Sequence, residues 1–425
     1  MKSASYWLDT APTINTADTT LSSQSVDVVV IGGGFTGLSS ALAMVKRGAS
    51  VALCEAGVVG GEASGRNGGQ CNNGTAQDYA GLVSTYGEDK ARAFYQFYNQ
   101  AVDSVELLVR NENIECDFRR AGKIKLAAKP EHFDKLVKTH EALTKEVDPG
   151  AKLLDATALQ QEISSDKFYG GLLTPNGAQL HVGKMVYGLA SRCIEKGVAI
   201  FQHQPVVKLD KKGPQQWMVH TPEQTIVAKT VLIATGGSGP GPFSWFRRRI
   251  VPVGSFAVTT EPLDEQLCAS LFPGNRSYVT SKNIGNYFRL TPDRRLLFGG
   301  RARFAVSNQR SDLKSGEILR QSLHEMFPQL ANTRIDYCWG GTVDMSADRL
   351  PKVGEHDGLF YAMGYSGHGV QMALHMGNVM ADIIDGKPTD CPWMTTDWPA
   401  VPFHFGKPWF LPFVGMYYKL QDKLH

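Results

Sequence analysis

The 425-residue sequence predicts an α/β fold in which a parallel sheet flanked by helices is joined to a second, mostly antiparallel β domain. The first observation is a β-branched apolar run, Val26 to Ile31, followed by a glycine turn and an apolar-periodic helix from Leu38 to Lys46. The second is the alternation of strand runs within residues 246–334, for example Phe256 to Thr260 and Asn286 to Leu290.

The turn after the first strand has the spacing G-x-G-x-x-G. Gly32 permits a tight turn, Gly34 lets the backbone approach a pyrophosphate, and Gly37 lets the helix pack closely on the sheet. A second strand, Ala49 to Leu53, ends beside Glu55, about 20 residues after the turn, where an acid accepts ribose hydroxyls. The pattern therefore predicts a Rossmann-like dinucleotide site that includes Gly32, Gly34, Phe35, Thr36, Gly37, Glu55 and Ala56.

A second glycine-rich loop, Gly60 to Gln70, follows the acid strand, where a nicotinamide dehydrogenase would continue into its next helix. Its Ser-Gly-Arg-Asn-Gly-Gly segment resembles the motif of the glycine oxidase, sarcosine oxidase and D-amino-acid oxidase (DAO) family of FAD enzymes. Two further segments, Val231 to Gly237 and Gly364 to Gln371, are similar to that family's second FAD-contacting strand and its C-terminal flavin loop.

Within this family, the chain resembles the γ-glutamylputrescine oxidase group on residues 339–346, 349–351 and 406–412. The resemblance implies an FAD cofactor. The further residues that it implies for cofactor binding are Ser64, Arg66, Asn67, Gly68, Gly69, Gln70, Val206, Thr235, Gly236, Gly341, Gly367, His368, Gly369, Val370 and Gln371.

The resemblance and the helical and strand patterns predict a Rossmann-like FAD-binding domain with an inserted, mostly antiparallel β substrate domain. The FAD-binding domain is predicted at 26–85, 155–245 and 335–390, and the substrate domain at 86–154 and 246–334. Residues 1–25 form an N-terminal segment and residues 391–425 an aromatic C-terminal tail.

Composition excludes several classes of protein. A net charge of +3, evenly spread, does not favour nucleic-acid binding. The seven cysteines are scattered without a C-x-x-C pair, so neither a disulfide framework nor a zinc or other metal site is predicted. The first 25 residues lack a secretory pattern, and no stretch reaches the roughly 18 apolar residues of a membrane span. These features predict a cytoplasmic protein.

The tail, Pro399 to His425, interleaves aromatic residues with lysines. One interpretation is an interfacial anchor that makes peripheral contact with the inner face of the membrane. The other is a strap that packs its aromatic side chains on the protein's own body.

Two-dinucleotide flavoenzymes have a second glycine fingerprint for a nicotinamide. The run Gly236 to Gly241 fails as one, because Pro242 stands where the last glycine is needed. The electrons are therefore expected from an organic substrate, by hydride transfer from the carbon beside an amine nitrogen to flavin N5.

Six residues are predicted to face the substrate: Trp339, His368, Tyr287, Arg289, Arg301 and Gln371. Trp339 is equally expected to pack, and His368 either orients the amine or braces its loop. Tyr287 and Arg289 alternate with Phe288 on one strand and point either into a cavity or outward. Arg301 and Arg303 are further candidates for a carboxylate, which arginine binds as a fork.

The chain departs from the sarcosine oxidases in three places. Gln371 stands where they have a lysine, which disfavours a small α-amino acid substrate. Their flavin-linking cysteine is absent from Gly341 to Asp344, and Cys338 lies too early, so non-covalent FAD is expected. Their oxygen-activating lysine has no counterpart in Leu296 to Gly299, which leaves oxygen or a quinone as the electron acceptor.

The predicted function is FAD-dependent oxidation of a C–N bond in a small-molecule amine of polyamine or amino-acid catabolism. The substrate is a γ-glutamylputrescine-like or other secondary or primary amine, and the imine formed hydrolyses to an aldehyde and an amine. The alternative is an imino-acid or amino-acid oxidase, acting for example on L-pipecolate or a sarcosine-like compound, or a membrane-coupled dehydrogenase. More distant alternatives are the flavin module of a tRNA-modifying enzyme and a flavin-holding scaffold without turnover.

Overall fold

The computed structural model describes residues 1–14, 25–236, 241–394 and 397–424. Within those ranges the strands are β1 (Lys2–Ser3), β2 (Ser25–Ile31), β3 (Val51–Cys54), β4 (Gln70–Cys71), β5 (Arg119–Arg120), β6 (Lys123–Leu126), β7 (Lys152–Asp155), β8 (Gly170–Thr174), β9 (Ala178–Gln179), β10 (Ala199–Phe201), β11 (Lys208–Gly213), β12 (Gln216–His220), β13 (Thr225–Ile233), β14 (Val251–Thr260), β15 (Ser277–Thr280), β16 (Asn286–Leu290), β17 (Leu296–Gly300), β18 (Ile335–Met345), β19 (Lys352–His356) and β20 (Leu359–Met363). The α-helices are α1 (Tyr6–Thr10), α2 (Phe35–Lys46), α3 (Ala63–Arg66), α4 (Tyr79–Tyr86), α5 (Glu88–Asn111), α6 (Pro130–Glu146), α7 (Ala156–Leu159), α8 (Val182–Glu195), α9 (Ser244–Arg247), α10 (Glu265–Leu271), α11 (Gln309–Met326), α12 (Gly369–Ile384) and α13 (Leu411–Leu424), with a 3₁₀ turn at Pro328–Leu330.

The predicted parallel sheet is present as part of an eight-stranded sheet, and its strands are β10, β3, β2, β13 and β20. The order of the eight-stranded sheet is β10-β3-β2-β13-β12-β11, with β20 also beside β13 and β19 beside β20. The pairs β10/β3, β3/β2, β2/β13 and β13/β20 are parallel, whereas β11, β12 and β13 form an antiparallel meander. Helix α2 begins at Phe35, three residues before the predicted Leu38, because the glycine motif itself forms its first turn.

A nine-stranded sheet has the order β1-β18-β14-β17-β16-β15-β6-β8-β7. Its centre, β14 to β17, is the antiparallel unit predicted within residues 246–334. The sheet extends further, because β18 pairs with β14 from Val251 to Thr260 and β6 pairs with β15. Strands β8 and β18 therefore join this sheet, although the sequence assigned their segments to the FAD-binding domain, whereas β19 and β20 join the other sheet.

The apolar core orients the strand that was predicted to face the substrate. Phe288 on β16 lies in a cluster with Phe298 and Phe327. Because side chains alternate along a strand, Tyr287 and Arg289 lie on the opposite face, toward the Gly60 to Gln70 loop.

The C-terminal tail consists of an irregular strap followed by α13. Phe403, Phe405 and Trp409 of the strap are 78%, 76% and 63% exposed, so the interpretation in which these side chains pack on the protein body is wrong for them. Within the described ranges, no helix combines the length and the apolar character that crossing a bilayer requires.

Residues 15–24 of the predicted N-terminal segment lie outside the described residues, as do Gly237 and the centre of the Gly236 to Gly241 run.

Candidate active site

The glycine turn has the close approaches that the motif predicts. Gly32 has a φ of +112°, and a Cβ there would lie 2.6 Å from the carbonyl oxygen of Ala234 on the neighbouring chain segment. A Cβ on Gly37 would overlap the carbonyl oxygen of Gly32. The first turn of α2 is also tied to the second glycine loop, because Phe35 N donates to Ser64 Oγ at 2.9 Å. These contacts fix the helix N-terminus where a pyrophosphate would be held.

Glu55 lies at the carboxyl end of β3, beside this turn. Its Oε2 accepts a hydrogen bond from Gly33 N at 2.7 Å, and its Oε1 accepts one from Gly57 N at 2.7 Å. Each carboxylate oxygen retains a second lone pair, so the group is oriented and still able to accept ribose hydroxyls. Ala56 follows in an exposed position.

Val206, Thr235 and Gly236 lie at neighbouring strand ends. Val206 is buried, and Gly236 has a φ of +62°. Thr235 N would lie 3.2 Å from a Cβ on Gly32, so the end of β13 borders the glycine turn.

The Gly60 to Gln70 loop is bound to β18. Arg66 donates from Nε to Gly61 O at 2.6 Å and from its guanidinium to Gly340 O at 3.1 Å. Trp339 Nε1 donates to Arg66 O at 2.9 Å, and Gly341 lies against Arg66 Cβ. Trp339 is 1% exposed, so in this structure it packs and holds the loop.

The rest of the loop is ordered by its own side chains and presents its backbone to the sheet. Asn67 Nδ2 donates to Ser64 O at 2.9 Å, and Asn67 Oδ1 accepts from Gly69 N at 2.8 Å. Gln70 Nε2 donates to Phe288 O at 3.2 Å. A Cβ on Gly68 would lie 2.5 Å from the ring of Tyr287, so only glycine allows this approach.

Asp344 organises the C-terminal glycine loop, a role that the sequence did not reveal. Its buried carboxylate accepts hydrogen bonds from Gly364 N at 2.6 Å and Tyr365 N at 3.4 Å. Burial raises the pKa of Asp344 to about 7. The Tyr365 hydroxyl lies 2.8 Å from Thr36 Oγ1, which connects this loop to the first glycine turn.

His368 precedes the first residue of α12 and has an unpaired ring nitrogen. Among the described residues, His368 Nδ1, Tyr98 OH and Gln371 Oε1 are buried atoms without a hydrogen-bond partner. The rings of His368 and Tyr98 lie 5.6 Å apart, edge to face. Gln371 Nε2 donates to Asn72 O at 2.5 Å. The neighbouring unpaired atoms of His368 and Tyr98 need an explanation, and a bound ligand group would provide one.

Two cations act electrostatically on this histidine. The pKa of His368 is lowered to about 3 by burial and by the charges of Lys123 and Arg301, so the imidazole is neutral at physiological pH. Lys123 Nζ donates to Asn73 O at 2.8 Å, and burial lowers its pKa to about 8. Burial and the neighbouring Arg349 lower the pKa of Arg301. Lys123, Arg301 and Arg349, which we call the cation cluster, form no ion pair with a carboxylate of the described residues.

Arg289 has a different environment. It is 1% exposed, its guanidinium donates to Leu180 O at 3.1 Å and Gln179 Oε1 at 3.3 Å, and it lies 5.2 Å from the ring of Trp7. Burial lowers its pKa to about 9. Arg289 therefore supports the sheet behind Gly69, and its contacts do not place it with the cation cluster.

Sequence reasoning missed Lys123, Arg349, Tyr98 and Asp344. Lys123 lies on β6 two residues from Lys125, whose pKa burial also lowers, and two lysines on one face of a strand whose other face is apolar are the signal that could have indicated a site. Within the described ranges, no group of three or more His, Cys, Asp or Glu side chains could hold a metal ion.

Three features together are typical of a flavin-dependent oxidoreductase fold: the Gly32 to Gly37 turn, the oriented carboxylate of Glu55 and the Gly60 to Gln70 loop. The family model "FAD dependent oxidoreductase" (DAO) matches residues 27–383, so the chain belongs to the DAO family, whose FAD-dependent members act on amines or amino acids. Because the unpaired atoms of His368, Tyr98 and Gln371 adjoin the glycine loops, the residues present fit the cofactor.

Two curated relatives and one solved structure are similar to this chain. It is 31% identical to gamma-glutamylputrescine oxidoreductase of Escherichia coli K12, over 99% of the chain and 98% of the relative. It is 33% identical to the probable oxidoreductase OrdL of Haemophilus influenzae, over 85% of the chain and 84% of the relative. Glycine oxidase from Geobacillus kaustophilus has the same fold, with a TM-score of 0.72 at 21% identity, covering 88% of this chain and 99% of that one.

Proposed function

We propose that the protein oxidises a C–N bond in an amine that also has a carboxylate, a substrate like γ-glutamylputrescine. The imine formed would then hydrolyse to an aldehyde and the released amine or ammonia. When bound, FAD supplies the acceptor for the hydride that leaves the carbon beside the nitrogen. The observation that supports this substrate class most strongly is the cation cluster beside a neutral His368.

The cation cluster has the properties of a carboxylate site. Its charges are half-buried and form no ion pair with a carboxylate of the described residues, so an anionic substrate group would relieve the repulsion between Arg301 and Arg349. A guanidinium such as that of Arg301 can bind a carboxylate through two parallel hydrogen bonds. The relative named gamma-glutamylputrescine oxidoreductase, similar over almost the whole chain, supports the same class.

The same charges assist the reacting amine. An alkyl ammonium has no lone pair and is a poor hydride donor, so the amine must be bound without its extra proton. Nearby positive charge lowers the pKa of an ammonium group, and the neutral His368 imidazole can accept a hydrogen bond from the amine. Lys123 and Arg301 therefore favour the uncharged form of an amine that lies beside His368.

A cyclic imino acid such as L-pipecolate is the second candidate. It is favoured by the closeness of Lys123 and Arg301 to His368, which would suit a carboxylate adjacent to the nitrogen. In γ-glutamylputrescine the carboxylate is remote from the reacting amine. The two candidates therefore differ in the carboxylate-to-amine separation that the site accepts.

The test is anaerobic mixing of the yellow holoprotein with γ-glutamylputrescine, putrescine, L-pipecolate and sarcosine, followed by flavin absorbance. We expect γ-glutamylputrescine to bleach the flavin at low concentration and putrescine, which lacks a carboxylate, to fail. If putrescine bleaches the flavin at the same concentrations as γ-glutamylputrescine, the site does not recognise a carboxylate and the proposal is contradicted. Preferential bleaching by L-pipecolate would favour the second candidate.

For reoxidation we propose a quinone-type acceptor. The strand that resembles the lysine-bearing strand of the sarcosine oxidases is β17, and its Leu296, Leu297 and Phe298 are all fully buried apolar residues. We expect aerated buffer to reoxidise the reduced protein more slowly than a soluble quinone does, in stopped-flow mixing. If oxygen reoxidises the reduced flavin as fast as the protein turns over, the protein is instead an oxidase.

A further inference from the structure

We propose that the C-terminal tail docks the protein on the surface of an anionic lipid bilayer. The docking surface, which we call the tail face, consists of exposed apolar side chains interspersed with lysines. Its members are Phe403, Phe405, Lys407, Trp409, Phe413, Met416, Tyr417, Lys419, Leu420, Lys423 and Leu424.

Helix α13 exposes its apolar face and buries its other face. Phe413, Met416 and Leu420 are 61%, 59% and 57% exposed, at the spacing of one helical stripe. The buried stripe contains Gly415, against the ring of Phe304, and Asp422. A helix on a water-facing surface has the reverse arrangement, so nothing in the described part of the chain covers the apolar stripe.

The tail face is presented by an anchored backbone. In the strap, His404 is 1% exposed with Nε2 2.8 Å from Ile250 O, and Val401 N donates to Arg248 O at 2.9 Å. In α13, the Asp422 carboxylate accepts hydrogen bonds from the amides of Asn283 and Ile284 at 2.9 and 2.8 Å. The aromatic side chains therefore point outward from a fixed support, which lowers the entropy cost of docking.

The positive charges of the tail face favour an anionic lipid surface as its partner. Between Trp398 and Gln421 the sequence has no Asp or Glu, and the carboxylate of Asp422 is already used by backbone amides. Aromatic rings with lysines at the same level are the composition of a surface that lies at lipid headgroups and attracts anionic lipid. A two-fold contact with a second copy would bring these lysines toward their own equivalents without a neutralising acid.

Vesicle flotation of the full-length holoprotein tests the proposal. We expect it to float with vesicles of phosphatidylcholine and phosphatidylglycerol, to float less with phosphatidylcholine alone, and to be released by salt. Combining K407E, K419E and K423E should remove the preference for anionic vesicles, with a loss of at least about fivefold for each lysine. Trp409→Ser with Phe413→Ser should abolish flotation with both vesicle types.

The matched control is Leu107→Ser with Val207→Ser, two side chains that are 56% and 54% exposed elsewhere on the surface. The control should float like the wild type, and an unchanged flavin spectrum and melting temperature establish that each variant is folded. A wild-type holoprotein that stays with the dense fraction overturns the proposal, as does a control that loses as much binding as the tail variant. A third outcome is that the wild type does not bind vesicles but is a dimer without lipid. If Trp409→Ser with Phe413→Ser then dissociates that dimer, the tail face is an interface between copies and the proposal is wrong.

Discussion

In the glycine turn and the Gly60 to Gln70 loop the polar side chains are bound by the chain's own backbone, whereas the charges of the cation cluster have no carboxylate partner among the described residues. Both oxygens of Glu55 accept backbone amides, and the Asn67 side chain closes its own loop. Around His368, by contrast, a ring nitrogen lacks a partner and Lys123 and Arg301 lack a carboxylate among the described residues. A region whose polar groups are satisfied is rigid before its ligand arrives, while an unsatisfied region depends on the ligand to complete it.

This difference predicts how the two regions respond to substitution. Changes in the loops should remove the cofactor and destabilise the fold together. Changes in the cation cluster should leave the flavin in place and alter the apparent affinity for substrate.

The largest effect is expected for Gly37→Ala. Its Cβ would overlap the carbonyl oxygen of Gly32, so the helix must move away from the turn. We expect loss of bound FAD and destabilisation by about 3 kcal/mol, measured by flavin absorbance and thermal unfolding. In the control Gly213→Ala the nearest atom, Gln216 Cβ, is 3.9 Å away, and the yellow colour should persist. A yellow Gly37→Ala protein of normal stability would contradict the close approach.

A smaller effect is expected for Arg301→Ala, through KM. Removal of a charge-assisted contact costs about 2 kcal/mol, or roughly 30-fold in KM for γ-glutamylputrescine. The flavin spectrum should stay that of the wild type. Arg303→Ala is the control, because Arg303 lies two residues further along and is not among the charges that act on His368. Equal KM values for all three proteins would exclude Arg301 as the carboxylate contact.

The pH dependence of KM gives a third, weaker effect. The pKa of Lys123 is lowered to about 8, so this lysine loses its charge as the pH rises through that value, while an exposed lysine stays charged. The ratio of the wild-type KM to the KM of Lys123→Arg should therefore rise about fivefold from below to above that pKa, because titration of the substrate amine affects both proteins equally. The arginine in Lys123→Arg stays charged over this range. A ratio that does not change with pH would assign the titration to another group.

For Cys338→Ser we expect no change in how FAD is released by acid precipitation. The Cys338 thiol donates to Asp312 O at 3.2 Å, on the side of β18 that faces α11, and burial raises its pKa to about 12. Trp339, the next residue, points to the opposite side toward Arg66. Acid precipitation should release all FAD from both proteins. Flavin that stays in the wild-type pellet and not in that of Cys338→Ser would indicate a covalent link.

The local structure of the glycine turn and of its neighbouring acid could be predicted from the sequence because its determinants are local. The glycine turn, its strand and its helix are contiguous, and Glu55 follows one strand later, so spacing alone indicates their arrangement. The parallel sheet followed from the same pattern. The antiparallel pairing of β14 to β17 was predictable from alternation, although the sequence could not indicate that β18 would join that sheet.

The cation cluster could not be predicted because its members come from distant parts of the chain. Lys123 lies on β6, Arg301 follows β17, and Arg349 follows β18. Each lysine or arginine taken alone resembles an ordinary surface charge, and only tertiary structure shows that it lacks a carboxylate partner. Arg289 illustrates the converse, since strand alternation put it on the same face as Tyr287 but left the direction of that face open. The sequence also could not show that Gln179 and Leu180 accept hydrogen bonds from its guanidinium.

One hydrogen bond joins the tail to the cation cluster: Arg349 donates from its guanidinium to the Tyr418 hydroxyl at 3.0 Å. Tyr418 belongs to α13, and Arg349 lowers the pKa of Arg301. The proposed bilayer surface and the proposed carboxylate site would thus involve neighbouring residues, and thermodynamic linkage makes any coupling between the two binding events reciprocal. If a bilayer raises the affinity for substrate by a given factor, substrate raises the affinity for the bilayer by the same factor.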